Sequence, residues 1–250
     1  MMNEFQLLID LHKHQPRQGP GGEAETRLAM QLAGLDRSRH LKIADIGCGT
    51  GASAIQLAKE LDAEVVAVDF LGEFLAVLEE RAKEYGVLER IRPMKCSMDA
   101  LPFGEGEFDV IWSEGAVYNM GFENGVKAWK KFLKPGGKLM VSEITWLTDE
   151  RPNDLQAYWD DVYPEIDTAS AKIGVLERAG YRLTGYFCLQ SDCWLNNYYE
   201  PLQKRFKPFL SQYKNSDEAK AIVAADEEEI ALYKKYCSYY SYGFYVAEKI

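Results

Sequence analysis

The segment Ala44-Asp45-Ile46-Gly47-Cys48-Gly49-Thr50-Gly51 joins a short apolar run to a stretch of helical period, and this junction constrains the fold more than any other feature. Leu41 to Ile46 and Val65 to Asp69 read as buried strands, and between them Ala54, Leu57, Ala58 and Leu61 repeat at helical spacing. The unit is therefore a strand, helix, strand crossover with its glycines where the first strand hands over to the helix. Glycine there permits a tight turn, lets a ligand lie against bare backbone and exposes amides at the helix N-terminus. A nucleotide-like ligand is expected over this turn.

The same alternation continues downstream. Leu71, Phe74, Leu75, Leu78, Ala82 and Tyr85 form one face of a second helix, with Glu79, Glu80, Lys83 and Glu84 opposite and Gly86 as its stop. Further strands are expected at 91–96, 108–113 and 138–143, the last introduced by Lys134-Pro135-Gly136-Gly137, which ends the preceding helix. That accounts for five parallel strands. Residues 181–189 and 239–249 supply two more, the final one with Tyr240, Tyr242, Phe244 and Val246 in alternation. The expected fold is a single α/β domain: a helical lid over 1–40, a cofactor-binding core over 41–190, a helical, aromatic-rich insertion over 191–237 and a last strand over 238–250.

Charge and cysteine usage narrow the function. Thirty-nine acidic against 29 basic side chains give a net charge of -10 in 250 residues, the wrong sign for a protein that holds phosphate backbones by counterion release. No nucleic-acid partner is expected. The five cysteines, Cys48, Cys96, Cys188, Cys193 and Cys237, form no C-x-x-C pair and no zinc spacing, so they read as reduced and mostly buried, with no metal site. The N-terminal stretch fits no secretory signal, and no apolar run approaches the roughly 18 residues of a membrane span. A cytoplasmic chain without a membrane partner is the expectation.

The glycines alone leave two cofactors open, because Gly47-x-Gly49-x-x-Ala52 also satisfies the dinucleotide fingerprint of NAD(P)-dependent oxidoreductases. Asp45, just before the first glycine, would repel a pyrophosphate but accept bonds from an ammonium group. Asp69, at the end of the second strand, is placed to take two ribose hydroxyls, which either cofactor would use.

Asp45-Ile46-Gly47-Cys48-Gly49-Thr50-Gly51 resembles the first motif of class I S-adenosylmethionine-dependent methyltransferases, and later segments agree in order. Val66-Ala67-Val68-Asp69 resembles the second motif, Ser97-Met98-Asp99-Ala100-Leu101-Pro102-Phe103 the adenine-edge segment, Phe108 to Ser113 the fourth strand and Leu133 to Leu139 the turn into strand five. The resemblance spans roughly residues 40 to 145. It implies a Rossmann-like, seven-stranded, mostly parallel sheet with helices on both faces, and S-adenosyl-L-methionine as cofactor. It also implies that Gly47, Gly49 and Gly51 line the methionine and ribose portion, with Asp45 near the ammonium and Asp69 on the ribose. Phe70 would lie near the adenine face, Asp99 would accept from its exocyclic amine, the Met98 amide would reach a ring nitrogen, and Ser113 and Glu114 would close the methionine side. Plainer roles stand beside these: helix capping for Asp45 and Asp69, a turn for Asp99, core packing for Phe70.

Methyl transfer needs alignment, exclusion of water and, for some acceptors, removal of a proton. The loop Ser113 to Met120 departs from the Asp/Asn-Pro-Pro-Tyr pattern of enzymes that methylate nucleic-acid or glutamine amines, which points to a small-molecule acceptor. It also lacks the histidine that related small-molecule enzymes carry near the position of Asn119. Glu114 and Tyr118 are the candidates for substrate contact, and without a clear catalytic group a non-catalytic cofactor-binding module is the alternative. His12, His14 and His40 read as surface or loop residues, with His12 or His14 within reach of the site only on a lid. Arg17 or Gln18, in the Gly/Pro-rich loop 14–22, suits the methionine carboxylate or an acidic acceptor. The aromatic side chains of 191–213, with Trp146, Trp159 and Tyr163, suit an acceptor pocket, the packing of an added helix, or the contact of a homodimer. Asp226-Glu227-Glu228-Glu229 reads as a solvated helix face.

Overall fold

The computed structural model describes residues 4–250; the first three residues of the N-terminal lid expectation lie outside the described residues. In chain order the elements are α1 (Glu4–His12), α2 (Glu23–Leu32), β1 (Leu41–Ile46), α3 (Ala52–Glu60), β2 (Ala63–Asp69), α4 (Gly72–Glu84), β3 (Ile91–Lys95), β4 (Phe108–Glu114) and α5 (Phe122–Trp129). There follow β5 (Leu133–Trp146), α6 (Asn153–Val162), β6 (Asp167–Thr168), α7 (Ala169–Arg178), β7 (Tyr181–Cys188), α8 (Ser191–Trp194), α9 (Glu200–Gln212), α10 (Asp217–Tyr236) and β8 (Tyr240–Lys249). A π-turn, Leu195–Tyr199, links α8 to α9.

The strands form one sheet in the order β3-β2-β1-β4-β5-β8-β7. β1 to β5 run parallel, and β8 lies antiparallel between β5 and β7. Both faces are covered, so successive side chains of a central strand enter different cores. Ile43, Val65, Val110 and Met140 pack in one, under α2, α3, α4 and the α8–α10 cap, whereas Ala44, Val66, Ile111 and Val141 pack in the other, under α5 and α7. This two-sided burial is why β1 and β4 read as continuous apolar runs, and why the alternation of β8 does not mark an exposed face: Tyr240, Phe244, Tyr245 and Val246 are all buried. The end of α4 follows the expected stop, with Gly86 at φ +68° and the Val87 amide bonded to the Ala82 carbonyl at 2.9 Å.

Three expectations are corrected. The sheet has an eighth member, since β6 contributes Asp167 and Thr168 beside Thr145 and Trp146, a pairing too short to leave a period. Lys134-Pro135-Gly136-Gly137 does not precede the fifth strand but lies within it: Leu133 pairs with Phe108 and Lys138 with Val110, so the turn bulges out between two registered segments. Of the cysteines, Cys48 and Cys193 are buried and the other three are partly buried, none of them bonded. The aromatic insertion resolves mainly into packing. Trp194 stacks on Tyr233 with centroids 4.3 Å apart, Tyr199, Phe206 and Phe209 join the same core, and Tyr198 is partly buried against it.

Candidate functional site

A cavity of about 780 Å³ opens at the carboxyl ends of β1, β2 and β4, where the strand order reverses. That is the expected place for a ligand in an open α/β sheet. Its floor is the glycine turn. Gly47 and Gly49 adopt φ of +76° and +55°, and a Cβ on Gly47 would stand 2.3 Å from that of Ala116, so glycine is required by conformation and space together. Gly49 donates its amide to Asp69 Oδ2 at 2.9 Å, and the Leu71 amide bonds the other oxygen at 2.9 Å. Asp69 is thereby fixed at the end of β2 with acceptor capacity left on each oxygen, and burial raises its pKa. It braces the backbone before α4 without being its N-cap, which is Leu71.

Asp45 is the most telling residue of the floor. It is 1% exposed and its Oδ2 has no hydrogen-bond partner. Burial, then the nearby Glu114 carboxylate, push its pKa well above the usual carboxylate range, with Arg17 opposing. A buried acid with an unspent oxygen is costly unless a cation or donor arrives. Its neighbours on the cavity wall include Phe70, whose ring is 63% exposed; the core-packing reading of Phe70 is thus overturned, and an aromatic face is presented to the cavity. Met98 and Asp99 also line this end, with the Met98 carbonyl held by Trp129 Nε1 at 3.1 Å.

Two sequence candidates lie outside the lining. Gly51 is the left-handed N-cap of α3, its bare Cα facing Leu78. Ser113 is fully buried and donates to the Ile46 carbonyl at 2.8 Å, tying β4 to β1. Glu114 does reach the cavity, but it is spent on structure: Ser53, Trp112 and Thr26 donate to its Oε1 at 2.8, 2.8 and 3.1 Å, and Arg17 pairs with its Oε2. It latches the loop between α1 and α2 onto the sheet rather than serving as a free base. Arg17 is therefore not available as a loose cation. Gln18 completes the closure, its Oε1 accepting from the Thr50 amide and hydroxyl at 2.9 and 2.8 Å.

The far end of the cavity differs most from the sequence reading. Tyr118 projects into it edge-on to Tyr163, and burial raises its pKa. Tyr198 comes from the π-turn, and Asp226 and Glu229 come from α10. The acidic run is thus not a uniformly solvated face: Glu227, Glu228 and Glu229 are exposed, but Asp226 is partly buried, and both Asp226 and Glu229 border the cavity. Asp226 keeps 15% of its side-chain surface, and burial together with Glu229 pushes its pKa up to about 7. Glu229 is itself exposed at the cavity rim; it accepts from the Tyr199 hydroxyl at 2.8 Å, and desolvation of its carboxyl raises its pKa. His12, expected on a surface or, on a lid, within reach of the site, lines the same end with its Nε2 3.7 Å from Asp226 Oδ2, and burial lowers its pKa to about 4. His14 and His40 are exposed. One signal for the acids was present in the sequence: Asp226 and Glu229 fall in the same helical stripe as Ile222, Val223, Ile230 and Tyr233, all buried.

The fold and this cradle define a class of protein. Residues 43–137 match the family model described as a methyltransferase domain. A methyltransferase, GfsG, of Streptomyces halstedii is 30% identical over 127 residues, covering 50% of this chain and 46% of that protein. The solved structure of an S-adenosylmethionine-dependent methyltransferase from Geobacter sulfurreducens, in complex with S-adenosyl-L-homocysteine, superposes with a TM-score of 0.84 at 16% identity, covering 98% of each chain. One from Thiobacillus denitrificans gives 0.82 at 15% identity, covering 100% and 99%. By the family model the chain carries a methyltransferase domain over residues 43–137, which is the cofactor half. Its match with GfsG spans about half of that relative's length.

Proposed function

We propose that this chain transfers a methyl group from S-adenosylmethionine to a small-molecule acceptor. The observation that carries the reading is Asp45, a buried carboxyl with one unpartnered oxygen at the mouth of a glycine turn, flanked by Asp69 and the exposed Phe70. A cationic amino-acid head on a nucleoside satisfies all three: ammonium to Asp45, ribose hydroxyls to Asp69, base against Phe70. A pyrophosphate satisfies none of the negative charge and would be repelled by it, which disfavours a nicotinamide dinucleotide. The donor, when bound, supplies an electrophilic methyl carbon on a sulfonium. The chain's own residues hold it: the Gly47 and Gly49 backbone admits close approach, and Gln18 and the Arg17–Glu114 latch keep the loop closed against water. The cavity continues past the cofactor end to Tyr118, Tyr198 and His12, which form the acceptor wall.

Calorimetric titration with S-adenosylhomocysteine, with NADH and NADPH alongside, tests the proposal. Binding at about micromolar Kd is expected for the nucleoside alone, lost by about tenfold or more in Asp69→Ala, which removes charge-assisted bonds. Uptake of a nicotinamide dinucleotide with none of S-adenosylhomocysteine overturns it.

A further inference from the structure

The acceptor wall has a chemistry of its own. It is assembled from three parts of the chain distant in sequence: α1 gives His12, the π-turn gives Tyr198 and α10 gives Asp226 and Glu229, facing Tyr118 from the loop after β4. Two carboxyls one helical turn apart border the space, yet among the described lining residues the one guanidinium or ammonium is Arg17, already paired with Glu114. Asp226 Oδ2 accepts no hydrogen bond, and its nearest cationic candidate, His12 Nε2, stands 3.7 Å away, beyond hydrogen-bond reach. A carboxyl kept as poorly compensated as Asp226 is costly, and a cation entering between it, the neighbouring Glu229 carboxyl and the two tyrosine rings removes the cost through charge and cation–π contact. An anionic acceptor such as a carboxylate or phenolate meets like charge instead.

We propose that the acceptor is a small organic amine, held in its protonated form by Asp226 and Glu229 against Tyr118 and Tyr198, and deprotonated by His12. The inference rests on the methyltransferase reading above and names its substrate class. His12 suits the proton step by its place on the same wall as the carboxyls, with Asp226 Oδ2 3.7 Å from Nε2 to offset the burial that otherwise disfavours the imidazolium. The ammonium gives one proton to His12, which passes it to solvent, and the freed nitrogen lone pair forms a bond to the methyl carbon. The carbon–sulfur bond breaks with its electron pair remaining on sulfur, so that the products are the methylated ammonium and neutral-sulfur S-adenosylhomocysteine. Asp226, beside His12 Nε2, favours the imidazolium as it forms.

The test uses the full chain saturated with S-adenosylhomocysteine and three matched sets of probes: arylalkyl and alkyl primary and secondary amines, the alcohols of the same skeletons, and the corresponding carboxylic acids. Thermal shift and calorimetry report binding, and transfer of labelled methyl from S-adenosylmethionine reports turnover. Binding and methylation confined to amines are expected. Asp226→Asn and Glu229→Gln should each weaken amine binding by about tenfold or more while leaving S-adenosylhomocysteine affinity unchanged. His12→Gln should leave amine affinity nearly intact and lower the transfer rate by about a hundredfold, with the pH profile of the residual rate moved. The two carboxyl variants serve as independent checks should one fail to fold. S-adenosylhomocysteine binding accompanied by uptake of the alcohols or acids, by no binding among the amines, or by amine binding indifferent to both carboxyl variants, overturns this inference and leaves the methyltransferase reading standing. Failure to bind S-adenosylhomocysteine at all removes the earlier reading, and this one with it.

Discussion

Replacing Asp226 by asparagine should make the empty protein more stable, and increasingly so as pH rises. The Asp226 side chain is 15% exposed, and burial with the neighbouring Glu229 pushes its carboxyl up to about 7 from 3.8. In the unfolded chain the same carboxyl is already ionised at pH 5. Between pH 5 and 7 the folded protein therefore binds more protons than the unfolded one, so this group's contribution to stability falls as pH rises and levels off above its folded pKa. Two pH units at ~1.4 kcal/mol each give a loss of about 2.7 kcal/mol in the wild type. Water reaching the cavity wall brings this nearer to about 2 kcal/mol. Asparagine has no proton to lose and lacks this slope. His12 on α1, Glu229 on α10 and Tyr198 on the π-turn face the same space, and they are common to both proteins. Urea unfolding of wild type and Asp226→Asn at pH 5 and pH 8.5 measures the difference directly. The variant's advantage should widen by about 2 kcal/mol, equivalent to roughly 4–8 °C in the midpoint of a parallel thermal melt for a chain of this size. An advantage that is constant or shrinks with pH would refute the reasoning, because it would mean Asp226 is as well solvated folded as unfolded. The same residue would then be no reservoir of unspent charge for a ligand to relieve.

Two further outcomes follow from the cofactor end. Phe70→Ala truncates a residue that is 63% exposed, so the unfolding free energy from urea titration should move by no more than about 0.5 kcal/mol, while S-adenosylhomocysteine affinity, read by calorimetry, should fall by about tenfold through lost stacking on the base. Glu114→Gln keeps an oxygen for Ser53 and Trp112 but breaks the ion pair with Arg17, whose partners are 12% and 10% exposed. Stability should drop by about 2–3 kcal/mol, and limited proteolysis should cut the loop between α1 and α2 faster; a loop as protected as in the wild type would show that the latch is not what holds it.

The cofactor half was legible from the sequence because its determinants are local. A glycine turn between a strand and a helix, an acid at the end of each of the first two strands and continuous apolar runs all act within a few residues of one another. The register of β1 to β5 then brings Asp45 and Asp69 to one edge of the sheet without help from the rest of the chain. Gly51, in the glycine turn, and Ser113, at the end of the fourth strand, were expected at the cofactor too, yet one faces Leu78 and the other bonds the Ile46 carbonyl, since which way a motif residue points is settled by what is packed against it. Glu114 shows the same principle: its use as a latch depends on Arg17 and Thr26, 97 and 88 positions away along the chain.

The acceptor wall was decided by tertiary structure. An acidic run on a helix is ordinarily solvated, and the physics that would say otherwise lies in what the helix is laid against. Here α10 packs its Ile222, Val223, Ile230 and Tyr233 stripe into the core, and Asp226 and Glu229, carried on the same stripe, are turned toward α1 and the cavity. His12 is an ordinary helix residue until that packing removes it from water and places it beside Asp226. Periodicity and turn chemistry determine the sheet and the donor's seat; the pairing of segments more than two hundred residues apart determines what charge the acceptor meets, because burial and Coulomb interaction depend on distance in space and not along the chain.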